Sequence, residues 1–452
     1  MIPSFRQPAA GRLKIDPMAQ IPRRYASHLA LRSRLAFKRW TRRSIFLVGG
    51  LTVGAAAIVM AMLADAAQAA FVRLLSISPY VGLAVTPLGF GVAALLARKV
   101  FPNSQGSGIP QVIAALQLED QDRRTPLVSL RVAFGKVLVM TLGLLTGASI
   151  GREGPTVQVG AAIMFAIGRV APYRQAGFLL AGAAAGVAAA FNTPLAGIVF
   201  GIEELSRSFE ARTSGLIIGA VIAAGLTSLA LVGDYSYFGS TAATLPLGSS
   251  WLAILVCAIS GGLAGGAFNR IVMGFAAGLP GRLGRTIKAA PIPFAMICGF
   301  GVALCGLNGD TSVFGTGYAQ ASAVVHAQGT IDYWFGPLKF AATTLSAIAG
   351  IPGGIFSPSL AIGAGLASSL SLLFQDVPLG AFALIGMVSY LTGVVQAPIT
   401  SFVIVSEMTG DHGMIIPLMA AALIADGASK LLSAKGLYHS LAENFLKGDA
   451  AR

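Results

Sequence analysis

Residues 151–160 read Gly151-Arg152-Glu153-Gly154-Pro155-TVQVG, and residues 354–363 read Gly354-Ile355-Phe356-Ser357-Pro358-SLAIG. Both are Gly, three residues, Pro, four residues, Gly, and the second copy is displaced by 203. The match continues downstream. Gly182, Pro194 and Glu203, in GAAAGVAAAFNTPLAGIVFGIEE, recur as Gly386, Pro398 and Glu407, in GMVSYLTGVVQAPITSFVIVSE, each displaced by 204. Upstream, GSG at Gly106 to Gly108 has a weaker counterpart in GTG at Gly315 to Gly317. Matches in the same order at nearly constant offset point to an internal duplication, with repeats near 44–232 and 250–438.

The repeats lie in membrane sequence. Of the 452 residues 55% are hydrophobic and only 11% charged, against about a quarter charged in an ordinary soluble chain. Stretches 44–64, 74–97, 175–202, 213–233, 235–269, 340–375 and 377–406 lack Asp, Glu, Lys and Arg altogether. Several exceed the roughly 20 residues that span a bilayer, so an all-α polytopic membrane protein is expected. The 56 Gly are scattered through these stretches, which suits close helix packing in lipid.

Charge is concentrated at one end. The net charge is +14, yet residues 1–43 hold eleven Lys or Arg against the single Asp16. This basic arm is expected to lie on the cytoplasmic face of an inner membrane, as the positive-inside rule directs. Basic flanks of membrane spans need no nucleic-acid partner. Cys257, Cys298 and Cys305 sit in apolar surroundings without CxxC spacing and read as packing residues. The four His form no ligand pair, so neither metal nor cofactor is expected.

If each half has an odd number of spans, the second runs through the membrane upside down, and the two Gly-Pro segments approach the midplane from opposite sides. Gly-Pro punctuation in apolar sequence marks broken helices, tolerated in lipid only where the loose backbone is buried or lines a polar cavity. Proline in the first turn leaves neighbouring N–H groups pointing out of a helix start. Two such starts facing each other present free amides and the positive ends of two helix dipoles, which is an anion site without a full positive charge. Pro110, after Gly106-Ser107-Gly108-Ile109, marks a third start of this kind.

Intramembrane carboxylates are costly and therefore informative. Of seven Glu, four (Glu153, Glu203, Glu204, Glu407) fall within or at the ends of apolar stretches. Glu153 lies at a predicted helix start, where its carboxylate can occupy an anion site and vacate it on protonation, so it is a candidate gate and proton carrier. The competing reading is a cap paired with Arg152. Glu203, echoed by Glu407, reads as a structural acid at the end of a helix that forms surface pairs. Glu204, about 100° round the helix, is free for a separate role.

Taken together, Gly106-Ser107-Gly108-Ile109-Pro110, Gly151-Arg152-Glu153-Gly154-Pro155 and Gly354-Ile355-Phe356-Ser357-Pro358 closely resemble the three signature stretches of the CLC chloride channels and transporters. The resemblance reaches Glu204 in GIEELSR, EMTGD at 407–411 and Tyr438 in KGLYHSL, and so covers about 44–445. It implies an inverted-repeat homodimer with one pathway in each subunit. Ser107 and Tyr438 would offer hydroxyls, and Ile355 and Phe356 backbone amides, to a central chloride. Glu153 resembles the external gating glutamate, competing with chloride near the amides of Arg152 to Gly154, and Glu204 the internal proton-transfer glutamate.

An acid at the position of Glu204 favours proton-coupled chloride exchange over a passive chloride channel of the same fold, because channel members usually lack it. Ser107 favours chloride over nitrate, and the fluoride branch departs from this motif. Only fourteen residues follow Tyr438, so no regulatory domain is expected, and both termini are placed in the cytoplasm. A carrier of organic solutes would call for more intramembrane charged or aromatic side chains. An enzyme is disfavoured because no Ser/His or paired metal-ligand motif occurs.

Overall fold

The computed structural model describes residues 23–206, 211–233, 236–241, 243–245, 248, 250–308, 312–328 and 332–450. Side chains are described from Ser44 to Lys447 apart from residues 173, 211–214, 216 and 250. Residues 46–452 form one compact unit. Residues 1–45 form another, of which the helical backbone from Arg23 and the side chains of Ser44 and Ile45 are described. The expected surface placement of the basic arm rests on residues 1–22 and on the side chains of residues 23–43, which lie outside the described residues.

Among the described residues the protein is helical without a β-strand. The first part contains α1 (Arg23–Leu75), α2 (Gly82–Leu95), α3 (Ile109–Gln117), α4 (Gln121–Val128), α5 (Leu130–Leu145), α6 (Glu153–Ile167), α7 (Gln175–Phe191), α8 (Pro194–Phe200) and α9 (Ala211–Val232). The second contains α10 (Ser250–Ala277), α11 (Gly281–Ala289), α12 (Pro291–Asn308), α13 (Tyr318–Val325), α14 (Phe335–Ile348) and α15 (Phe356–Leu370). It ends with α16 (Leu379–Val395), α17 (Pro398–Thr409), α18 (Ile415–Lys430) and α19 (Leu437–Ala450). Six helical segments among the described residues are long and apolar enough to cross a membrane. The 28-residue α10 is about 42 Å long at 1.5 Å per residue, so it fits a ~30 Å hydrocarbon layer only when tilted.

Other helices stop short because a left-handed residue and then a proline interrupt them. The 17-residue α7 ends at Asn192, whose φ of 56° is left-handed, and Pro194 restarts the chain as α8. The same grammar ends α16 at Gln396, φ 57°, before Pro398 opens α17. Each proline sits in a first turn, where its missing N–H costs nothing.

Glycine then sets how closely the broken helices pack. A Cβ placed on Gly160 would lie 2.4 Å from the Gly182 carbonyl oxygen, and one on Gly182 would lie 2.3 Å from that of Gly160. Helices α6 and α7 therefore touch backbone to backbone, the close approach that small residues permit in lipid. Gly363 and Gly386 join α15 to α16 in the same way, with both distances 2.4 Å.

The loops before α3, α6 and α15 converge. Gly106 pairs with Pro352 as a parallel bridge and Gly151 with Gly354 as an antiparallel one. In the second pair each amide donates to the other's carbonyl at 2.7 Å. Three helix starts, far apart in sequence, are thereby fixed around one point.

Candidate functional site

At that point lies Glu153, the first residue of α6 and fully buried. Its Oε1 accepts a hydrogen bond from Ser357 Oγ at 2.5 Å, and its Oε2 lies 3.5 Å from the Ser357 amide, a weak contact. Ser357 is the second residue of α15, so a carboxylate from one helix start is held at another. The carboxylate also folds back over Gly151, where an added Cβ would sit 2.3 Å from Oε2. Arg152 does not neutralise it at close range. Its Nη1 donates to Asp65 Oδ1 at 2.8 Å and to the Ala61 carbonyl at 3.0 Å, both on α1.

Ser107, Ile355 and Tyr438 line a cavity of about 50 Å³. By the same measure a water-sized occupant needs roughly 10–15 Å³. The Ser107 and Tyr438 hydroxyls are both buried and neither makes a hydrogen bond of good geometry, though the two lie close together. Gly154 makes room for the first of them, since a Cβ there would meet Ser107 Oγ at 2.2 Å. Ile355 caps α15 and Phe356 opens it, so their amides have no partner within the helix. The Phe356 ring stacks on Tyr438 at 6.0 Å and meets Phe191 and Phe200 edge-on at 5.9 Å each, fixing the direction of α15's first turn. Seven of the eight expected site residues thus gather at or beside the converging helix starts, and the eighth, Glu204, lies against His439, the residue after Tyr438.

Glu204 is 2% exposed and belongs to a widened turn, Gly201–Ser206, that continues α8. His439 Nε2 is 2.8 Å from its carbonyl oxygen and 3.6 Å from its carboxylate Oε1. Neighbouring Glu203 points elsewhere, as its helical position requires, accepting from the Ile399 and Thr400 amides at 3.1 and 2.6 Å. Glu407 returns the arrangement by accepting from the Leu195 and Ala196 amides at 3.0 and 2.8 Å. Glu203 and Glu407 are structural acids, but they cap each other's helices rather than form surface pairs.

Two fully buried lysines were not singled out in the sequence. Lys136 Nζ donates to the carbonyls of Gly106 (2.8 Å) and Gln105 (3.3 Å), tying down the loop that carries Ser107. Lys339 Nζ does the same for the loop before α13 through Gly315 (2.7 Å) and Val313 (2.8 Å). A lone lysine inside an apolar run was the available signal, since it must find carbonyl partners when buried.

Residues 89–430 match the family described as voltage gated chloride channel. This chain belongs to that family. The H(+)/Cl(-) exchange transporter ClcA of Citrobacter koseri is 32% identical over 401 residues, covering 81% of this chain and 80% of that protein. ClcA of Salmonella arizonae is 32% identical over 397 residues, covering 80% of each. The fold resembles that of a slow cyanobacterial Cl-/H+ antiporter, with TM-score 0.77 and 24% identity over 90% of this chain and 98% of that one. It also resembles a CLC-type fluoride/proton antiporter, with TM-score 0.74 and 23% identity over 89% and 98%. The family and the helices long enough to span a bilayer make the chain a multi-pass membrane protein.

Proposed function

We propose that this CLC-family chain exchanges chloride for protons across a bacterial inner membrane, as a homodimer with a separate pathway in each subunit. The observation that carries this reading is the buried Glu153 carboxylate held at the start of α15, near a small cavity lined by Ser107 and Tyr438, whose hydroxyls are buried. Chloride is coordinated there by those hydroxyls, by the Ile355 and Phe356 amides and by the positive end of the α15 dipole. Amides of the Arg152–Gly154 stretch serve the anion when the carboxylate swings away. Protonation removes the charge that holds Glu153 in place, so anion passage and proton uptake become one event.

Glu204 supplies or takes the proton from the inner side. It is buried against His439, and water bridges the gap between the two acids. The repeats at 44–232 and 250–438 form the transport domain, between a cytoplasmic arm at 1–43 and a cytoplasmic tail at 439–452. Support for a two-fold relation comes from the capping acids, where Glu203 with Ile399 and Thr400 repeats Glu407 with Leu195 and Ala196 at a constant displacement of 204.

The test is Glu204→Gln in proteoliposomes. Chloride flux is expected to persist while chloride-driven proton movement is lost. Unchanged coupling would return Glu204 to the role of a helix-end acid.

A further inference from the structure

The Glu153 carboxylate is one end of a longer chain of oxygens. Ser357 Oγ, in a residue 4% exposed, donates to Glu153 Oε1 at 2.5 Å, the length of a charge-assisted O–H···O⁻ bond. On its other side Ser357 Oγ lies 3.4 Å from Tyr237 Oη. Tyr237 is firmly placed between α9 and α10. Its ring meets Phe191 edge-on at 5.8 Å and Tyr318 at 5.0 Å, and its carbonyl accepts from Tyr318 Oη at 2.7 Å. Tyr237 also lines a second cavity, of about 770 Å³, together with Arg152, Asp65 and Gln68. Glu153 itself has no exposed surface, so water in that cavity does not reach its carboxylate in this conformation.

Resting on the exchange reading above, we propose that Tyr237 and Ser357 are the outer proton port, a two-hydroxyl relay between the larger cavity and Glu153. A hydronium ion in the cavity passes a proton to Tyr237 Oη, the Tyr237 hydroxyl proton moves to Ser357 Oγ, and the Ser357 proton moves to Glu153 Oε1. Three O–H bonds form and three break, no electrons are exchanged, and Glu153 ends neutral. Rotation of the two hydroxyls restores the starting arrangement, and the reverse sequence releases a proton outward. The same Ser357 hydroxyl latches the charged gate, because a carboxylate accepts its bond more strongly than a neutral acid does. Ser357 and Tyr237 are therefore positioning and relay residues, separate from the groups assigned to chloride.

Tyr237→Phe removes one oxygen and leaves the ring to pack as before. In proteoliposomes of the full chain, chloride flux and chloride-driven proton flux are measured together for wild type, Tyr237→Phe, Ser357→Ala and Ser357→Thr. Proton flux is expected to fall roughly a hundredfold in the first two variants, the lower end for losing a positioned proton carrier, with the chloride-to-proton ratio rising. Ser357→Thr keeps the hydroxyl and is expected to hold the ratio near wild type. Added to Glu153→Gln, Tyr237→Phe is expected to change chloride flux no further, because no acceptor remains to be served. A wild-type ratio in Tyr237→Phe overturns the relay, as does an equal loss of chloride flux with and without Glu153, which would mark a purely structural role. Chloride flux without protons in the wild type would sink the exchange reading and the relay with it.

Discussion

Glu153 carries the most chemistry per atom, and its surroundings indicate what its loss would do. Glutamine in its place keeps the shape but can neither carry the gating charge nor take up a proton. Glu153→Gln is expected to abolish chloride-driven proton movement and leave chloride flux, measured in the same vesicles. Retained proton movement would remove Glu153 from the role proposed for it. Lys136 offers a second test at this scale. Its Nζ adds a second donor to the Gly106 and Gln105 carbonyls, which also accept from the Gly353 amide at 3.0 Å and from Gln111 Nε2 at 2.7 Å, so removing it loses two hydrogen bonds and their hold on the loop. Lys136→Met is expected to cost about 1–3 kcal/mol of stability and to slow chloride transport, read by thermal unfolding in detergent and by anion flux. Unchanged unfolding would show that the loop holds itself. Glu153, Ser107 and Tyr438 stood out as candidates in the sequence because they sit in motifs. Tyr237 and His439 were not, since each meets its partner across a long separation that no local pattern encodes: 120 residues to Ser357 and 235 to Glu204.

Among the elements, the broken helices α8 and α17 are held by exchanged acids. Each start is capped by a carboxylate from the other element, two amides to one acid in both directions. Charge-assisted caps of this kind are worth about 1–3 kcal/mol, and both depend on the same helix pair. Glu203→Ala and Glu407→Ala are each expected to lower the unfolding temperature, and the double variant to lose less than the sum of the two, as shared geometry dictates. Neither is expected to alter the chloride-to-proton ratio, in contrast to Glu204→Gln one residue away. A changed ratio in Glu203→Ala would show that the capping acids take part in transport. The echo of Glu203 in Glu407 made a structural role readable from sequence. That each would cap the other's helix was not readable, because it depends on how two helix starts are brought side by side. The Gly160–Gly182 contact shows the same boundary: both glycines stood out in the repeat, but only the packed helices reveal that neither leaves space for a methyl group.

For the whole molecule, composition and charge-free stretches were enough to expect a polytopic helical protein, because a bilayer admits few other solutions. The breaks at Asn192-Thr193-Pro194 and Gln396-Ala397-Pro398 fall inside stretches that read as unbroken apolar runs, and only the prolines, repeated at a displacement of 204, mark them in the sequence. That the starts of α6 and α15 face each other was expected from the repeat, whereas the ties that hold them, Gly106 to Pro352 and Gly151 to Gly354, came only from the packed structure. The proposed homodimer predicts that chemical cross-linking in membranes stops at two copies, and ladders of higher order or monomer alone would contradict it. The central claim is that one buried carboxylate makes chloride and proton movement a single process. It is tested most directly by reconstituting the wild-type chain in liposomes with a chloride gradient, clamping the potential at zero with valinomycin and potassium, and following external pH. The account predicts that the chloride gradient drives protons against their own gradient; fast chloride flux with no proton movement would contradict it and make the protein a passive channel.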